Sequence, residues 1–182
     1  MLLMFESGIR GGFSGVLGNR YAKANNKYMK KYNDKEPSTY LLHKDCVNLY
    51  GGGMMQPLPI DDFKWEYKEN YYKKPPKGRG CIVEVDLKYT DRSKIATYKF
   101  PLAPKNKVIQ QEQLSTKQHE YLLSENRTLG KVPKLILDLH DKEKYVIHYK
   151  LLQYYEKLGL KVIKVHRTIS FKESDWLKKY IV

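Results

Sequence analysis

Between Lys144 and Phe171 the hydrophobic period changes twice, and no other stretch constrains the fold as much. Tyr145 to Tyr149 has the composition and pattern of a strand. Lys150 to Lys157 has helical spacing and is stopped by Gly159, and Leu160 to Phe171 resumes as a long strand. A glycine directly after a helix is the residue best able to take the left-handed conformation that ends it. A strand, helix, strand unit needs a sheet to complete it, so the expected class is α+β. Cys81 to Tyr89 alternates well enough to add a further strand, and Lys117 to Glu125 reads as a helix within an otherwise irregular stretch from 101 to 135.

The first half is less regular. Residues 1–20 are rich in glycine (Gly8, Gly11, Gly12, Gly15, Gly18) and read as a strand or loop whose backbone approaches something closely. A polar, basic stretch from Arg20 to Lys35 carries Tyr21, Tyr28 and Tyr32. Tyr40 to Tyr50 is a strand-like segment, its apolar residues Leu41, Leu42, Cys46, Val47 and Leu49 interrupted by Asp45, and Gly51-Gly52-Gly53 should break it. Met54 to Trp65 reads as a turn through Pro57 and Pro59 followed by the start of a short helix at Asp61-Asp62. The Lys- and Pro-rich tract Tyr71 to Gly80 reads as a linker.

The 182 residues hold 34 basic and 20 acidic side chains, a formal charge of +14, which draws a chain to a polyanion and makes nucleic acid the first partner to consider. The two cysteines, Cys46 and Cys81, form no CxxC pair, and the five histidines have no ligand spacing, so neither a disulfide framework nor a structural zinc site is indicated. A reducing, intracellular location is expected. Met1 to Phe5 is too short an apolar run for a signal peptide, and no stretch approaches the ~20 apolar residues of a membrane span.

One carboxylate in an apolar strand is costly without a cation or hydrogen bonds, so Asp45 asks for a reason. A structural hydrogen bond or a metal ion would each supply one. Glu84 and Asp86, two apart on a strand, share a face and form a rival metal pair, although alternating acids on an exposed strand are ordinary.

Asp45-Cys46-Val47-Asn48-Leu49-Tyr50-Gly51 resembles motif A of B-family DNA polymerases, usually Asp-x-x-Ser-Leu-Tyr-Pro-Ser, with Gly-Gly-Gly in place of the closing Pro-Ser. Met54 to Pro59 and Phe63-Lys64-Trp65 look like the version in organellar, viral and Polinton-type protein-primed members. Further blocks follow in the same order: Gly8 to Gly12, Arg20 to Asn26, Val83 to Leu87, Pro101 to Pro104, Lys144 to Tyr149, Gly159-Leu160, His166-Arg167 and Trp176-Leu177. The resemblance implies a partial polymerase palm with an antiparallel sheet at 1–77, an inserted α+β subdomain that meets terminal protein and duplex at 78–172, and a return toward palm and fingers at 173–182.

By position, the resemblance makes Asp45 a catalytic side-chain ligand of Mg²⁺, with the Cys46 carbonyl completing a metal site. Asn48, Leu49 and Tyr50 line the incoming dNTP, Tyr50 excluding a ribose 2′-hydroxyl. Arg10, Gly11 and Gly12 contact the DNA template-primer, with Ile9 standing where the family's Tyr-x-Gly-Gly element has tyrosine. A terminal protein primer is an implied partner. The second catalytic carboxylate of the family's Asp-Thr-Asp hairpin and the finger motif Asn-Ser-x-Tyr-Gly do not occur in these residues. The expected function is therefore that of a polymerase fragment, inactive alone. The alternative is a basic nucleic-acid-binding protein without catalysis.

Overall fold

The computed structural model describes residues 1–13 and 21–181. In chain order its elements are α1 (Leu2–Gly8), α2 (Leu49–Met54), β1 (Leu58–Glu66), β2 (Arg79–Lys88), α3 (Asp91–Thr97), β3 (Lys105–Lys107), α4 (Thr116–Ser124), β4 (Lys134–Ile136), β5 (Lys142–His148), α5 (Tyr149–Lys157), β6 (Lys161–Ser174) and α6 (Lys178–Ile181). The fold is α+β. One antiparallel sheet has the order β1-β6-β2-β5, and β3 pairs with β4 in a separate ribbon. Among the described residues no helix is long and apolar enough to cross a membrane.

The expected strand, helix, strand unit forms β5, α5 and β6. Gly159 takes φ +100°. Its N–H donates to the Glu156 carbonyl at 2.9 Å, and that of Leu160 to Tyr155 at 3.1 Å, the paired bonds that close a helix C-terminus. Leu160 and Tyr155 are both buried, so the hydrophobic contact that accompanies such a cap is present too.

The core lies on both faces of β2. Cys81, Val83, Val85 and Leu87 point to one face and pack with Leu152 and Tyr155 of α5 and with Tyr71 and Tyr72. Burying each of these valines or leucines contributes about 1.5–3 kcal/mol. On the other face Val146, Ile169 and Ile82 lie under Met4 and Phe5 of α1. Phe171 joins this second layer, its ring 6.2 Å from Phe5, 5.9 Å from Phe63 and 6.3 Å from His148.

Several expectations are corrected here. Leu2–Gly8 is a helix rather than a strand or loop. At Gly8 the close approach does hold, since a Cβ there would lie 3.1 Å from Val146 Cγ1. Gly15, Gly18 and Arg20 lie outside the described residues. The expected helix start at Asp61-Asp62 is instead part of the nine-residue strand β1. As an edge strand it tolerates Pro59, and its register shifts around Asp61, with Asp62 at φ +56°. Arg79 holds this kink, donating to the Asp62 carboxylate at 2.6 Å and its carbonyl at 3.1 Å. Hydrogen bonds from Lys64 first and Arg79 next hold the Asp62 carboxyl down at about 2.

The tract Tyr71 to Gly80 is not a free linker. Tyr71–Lys73 form a 3-10 turn, Tyr72 is buried, and Gln153 of α5 donates to its carbonyl at 2.7 Å. The expected boundary at 77/78 falls between β1 and its partner β6, inside one sheet.

Helix α3 was not foreseen, although Thr90-Asp91-Arg92-Ser93 is a readable start. The Ser93 N–H donates to Thr90 Oγ1 at 3.1 Å and the Thr90 N–H to Ser93 Oγ at 2.8 Å.

Burial against Tyr149 and Phe171 pushes His148 down to about 4, so it folds neutral. Its ordinary value is about 6.5. Between those values the unfolded chain binds the extra proton, and stability falls as pH drops from about 6.5 to 4. The loss is of the order of 2 kcal/mol once partial exposure is allowed for. Urea unfolding of wild type and His148→Phe at pH 7.5 and 4.5 checks this: the variant should show a smaller drop, and equal drops would refute it.

Candidate functional site

Asp45 lies in irregular backbone and is exposed. No strand forms from Tyr40 to Tyr50, which corrects the expected local structure. The chain runs without regular structure to Cys46, turns at Val47-Asn48 and enters α2 at Leu49. Asn48 brings this about. It adopts φ 53° and its Oδ1 accepts from the Gly51 N–H at 3.1 Å, capping the helix. Gly51, Gly52 and Gly53, expected to break a strand, are inside α2. A Cβ on Gly51 would lie 2.3 Å from the Asn48 amide, so this cap needs glycine there.

Leu41, Leu42, Val47 and Leu49 are also exposed, and Tyr50 is 85% exposed. Asp45 is therefore not a carboxylate inside apolar packing, and the desolvation cost that singled it out does not arise in this chain. Cys46 is exposed and free. Asn48 caps α2 and Leu49 and Tyr50 open it, with Asp45 three residues before Asn48.

Asp45 and the Cys46 carbonyl do not complete a magnesium site by themselves. Among the described residues no group of three or more His, Cys, Asp or Glu is placed to hold a metal ion. Mg²⁺ demands near-octahedral oxygen coordination, and Asp45 with the Cys46 carbonyl supplies two groups at most.

Arg10 is committed to the fold. Its Nη1 donates to the Val146 carbonyl at 2.7 Å and to Gly8 at 3.1 Å, and the guanidinium lies 3.9 Å from the centre of the Tyr145 ring. It caps the outer edge of β5. Gly11 and Gly12 are exposed, with nothing within 4 Å of where a Cβ would be.

The sheet gathers a polar cluster that single residues did not reveal. Glu84 and Asp86 do share a face, and each has polar partners. Arg167 grips Glu84 with two bonds, 2.8 and 2.7 Å, which lowers the Glu84 carboxyl. The Lys144 N–H donates to Asp86 at 2.8 Å, lowering that carboxyl, and His166 Nε2 lies 2.8 Å from the same oxygen. Alternating acids were legible on β2. Their partners were not, because pairing Glu84 with Arg167 depends on the register of β2 against β6. A cavity of about 250 Å³ opens beside this cluster, between Trp65, Glu66 and Lys68 on one side and His166 and Arg167 on the other.

Compared with protein families, curated proteins and solved structures, the chain finds no significant match in any of the three.

Proposed function

We propose that these residues are part of a protein-primed B-family DNA polymerase, carrying motif A and the insertion that follows it, and that they do not catalyse nucleotidyl transfer by themselves. The supporting observation is the co-linear run of blocks around Asp45-Cys46-Val47-Asn48-Leu49-Tyr50, several of which, though not the Asp45 block, also meet in space. Tyr145 donates to the carbonyl of Pro104 at 3.1 Å, Arg167 binds Glu84, and His166 stands against Asp86. Residues quoted from separate stretches thus pack against one another in one sheet and its flanks. On this reading the antiparallel sheet belongs to the palm and its insertion, Asp45 supplies one oxygen ligand to Mg²⁺, and Tyr50 lies under the sugar of a dNTP. A second carboxylate and the finger lysine come from residues outside this chain, and DNA and a terminal protein are the partners.

The test is to sequence the nucleotides encoding this chain together with their surroundings, and to express the whole reading frame. Primer extension with Mg²⁺ and dNTPs is expected from a frame that encodes Asn-Ser-x-Tyr-Gly and Asp-Thr-Asp. Asp45→Ala should then lower it by three orders of magnitude or more, the scale for losing a metal that stabilises transition-state charge by several kcal/mol. Absence of both motifs, or full activity in the variant, would overturn the proposal.

The exposure of Asp45 and Tyr50 favours a second reading, a basic nucleic-acid-binding protein without catalysis. Such a protein binds DNA equally well with Asp45→Ala, with or without Mg²⁺.

A further inference from the structure

Residues 21–40 fold without an apolar core. Only Asn25 and Asn26 are buried in this stretch, and their amides do the folding. Asn25 Nδ2 donates to the carbonyls of Asn33 (2.9 Å), Pro37 (3.2 Å) and Glu36 (3.3 Å), while its Oδ1 accepts from the Asn33 N–H at 2.9 Å. Asn26 Nδ2 donates to the Thr39 carbonyl at 3.0 Å, and its Oδ1 accepts from the Tyr28 N–H at 3.1 Å. An antiparallel bridge between Asn25 and Thr39 closes the loop. Two buried side chains thereby fix its path.

What the braced loop presents is aromatic and cationic. Tyr21 is 87% and Tyr28 77% exposed, and Tyr32 and Tyr40 are exposed as well. Lys23, Lys27, Lys30, Lys31 and Lys35 are all exposed, against only two acids, Asp34 and Glu36. The Lys27 ammonium lies 5.3 Å from the Tyr28 ring. Tyr21 and Tyr40 flank the bridge within four residues, so chain length alone keeps each within about 14 Å of it. A surface whose only duty was solubility would need the lysines but not the tyrosines.

We infer that loop 21–40 is a contact surface for single-stranded nucleic acid, with lysines neutralising phosphates and tyrosines stacking on unpaired bases. Stacking needs a base face that a duplex hides, whereas ammonium groups serve either form. This surface moves the nucleic-acid contact away from Arg10, which β5 occupies. It depends neither on Asp45 nor on polymerase ancestry.

The test uses the full chain carrying Asp45→Ala, in EDTA, with a labelled oligothymidylate, a duplex of equal length, and heparin. The triple variant Tyr21→Ala/Tyr28→Ala/Tyr40→Ala is expected to lose about 10-fold or more in oligothymidylate affinity, from the stacking each ring contributes. Its duplex affinity and its melting temperature should stay unchanged, since the rings are exposed. Tyr→Phe at the same positions should bind as wild type. Lys27→Gln/Lys30→Gln/Lys31→Gln should instead flatten the salt dependence, by about 2 in log–log slope if each lysine meets one phosphate. If the alanine variant binds oligothymidylate like wild type, or heparin binding falls in parallel, the tyrosines do not stack on bases and the inference fails. The metal-free design keeps this outcome separate from that of the primer-extension test.

Discussion

Replacing Asp138 with alanine is expected to destabilise the fold by about 3–5 kcal/mol, the range for removing one partner of a buried ion pair. Lys142 is the reason. It is 1% exposed, and its ammonium meets the Asp138 carboxylate, with the Asp138 carbonyl 3.3 Å away. Asp138 also accepts from Lys107 at 2.8 Å and from the His140 N–H at 3.0 Å, so one carboxylate ties β3 to the start of β5. Burial opposes charge on Asp138, yet the hydrogen bonds from Lys107 and Lys142 win and hold its carboxyl far below the ordinary range.

The folded value being depressed, this stability is complete above the unfolded value of about 3.9 and is lost only as pH falls below it. It is thus separable from the His148 effect, which acts at higher pH. Lys142→Met should cost less than Asp138→Ala, because Asp138 keeps Lys107 and the His140 amide. The double variant should resemble Lys142→Met. Urea unfolding at pH 7 checks the order, and a double variant as unstable as Asp138→Ala would refute the account.

Phe171→Ala is expected to cost about 3–5 kcal/mol, as for large aromatic truncations that leave a cavity. Its side chain is fully buried and is shared by three parts of the chain: Phe5 on α1, Phe63 on β1 and His148 on β5. Phe5 and Phe63 also meet edge to face at 5.6 Å. Removing the ring should therefore loosen α1 selectively, with amides of residues 2–8 losing hydrogen-exchange protection before those of α5. Uniform loss across both helices would show that Phe171 supports the sheet as a whole and not the α1 layer.

Asp45 is where sequence and structure part most sharply. Its apolar neighbours suggested a strand because Leu41, Leu42, Val47 and Leu49 favour burial. A strand, however, needs a partner to take its hydrogen bonds, and among the described residues nothing pairs with 41–50. Asn48 then turns the chain into a helix with its own amide. At Tyr71 and Tyr72 the error ran the other way: lysines and prolines masked two rings that the core takes in.

Sequence alone determined the elements whose signals are local. The periods of β2, α5 and β6, the stop at Gly159 and the net positive charge follow from residues a few positions apart, and for such features neighbours suffice. Tertiary structure alone decided which strands pair, that Arg167 meets Glu84 and Lys142 meets Asp138, and that Arg10 turns inward to Tyr145. Arg167 and Glu84 lie 83 positions apart in sequence and Arg10 and Tyr145 still further, while Lys142 and Asp138, only four apart, meet because the fold buries the lysine. Their energy comes from burial and register, which exist only once the sheet has closed.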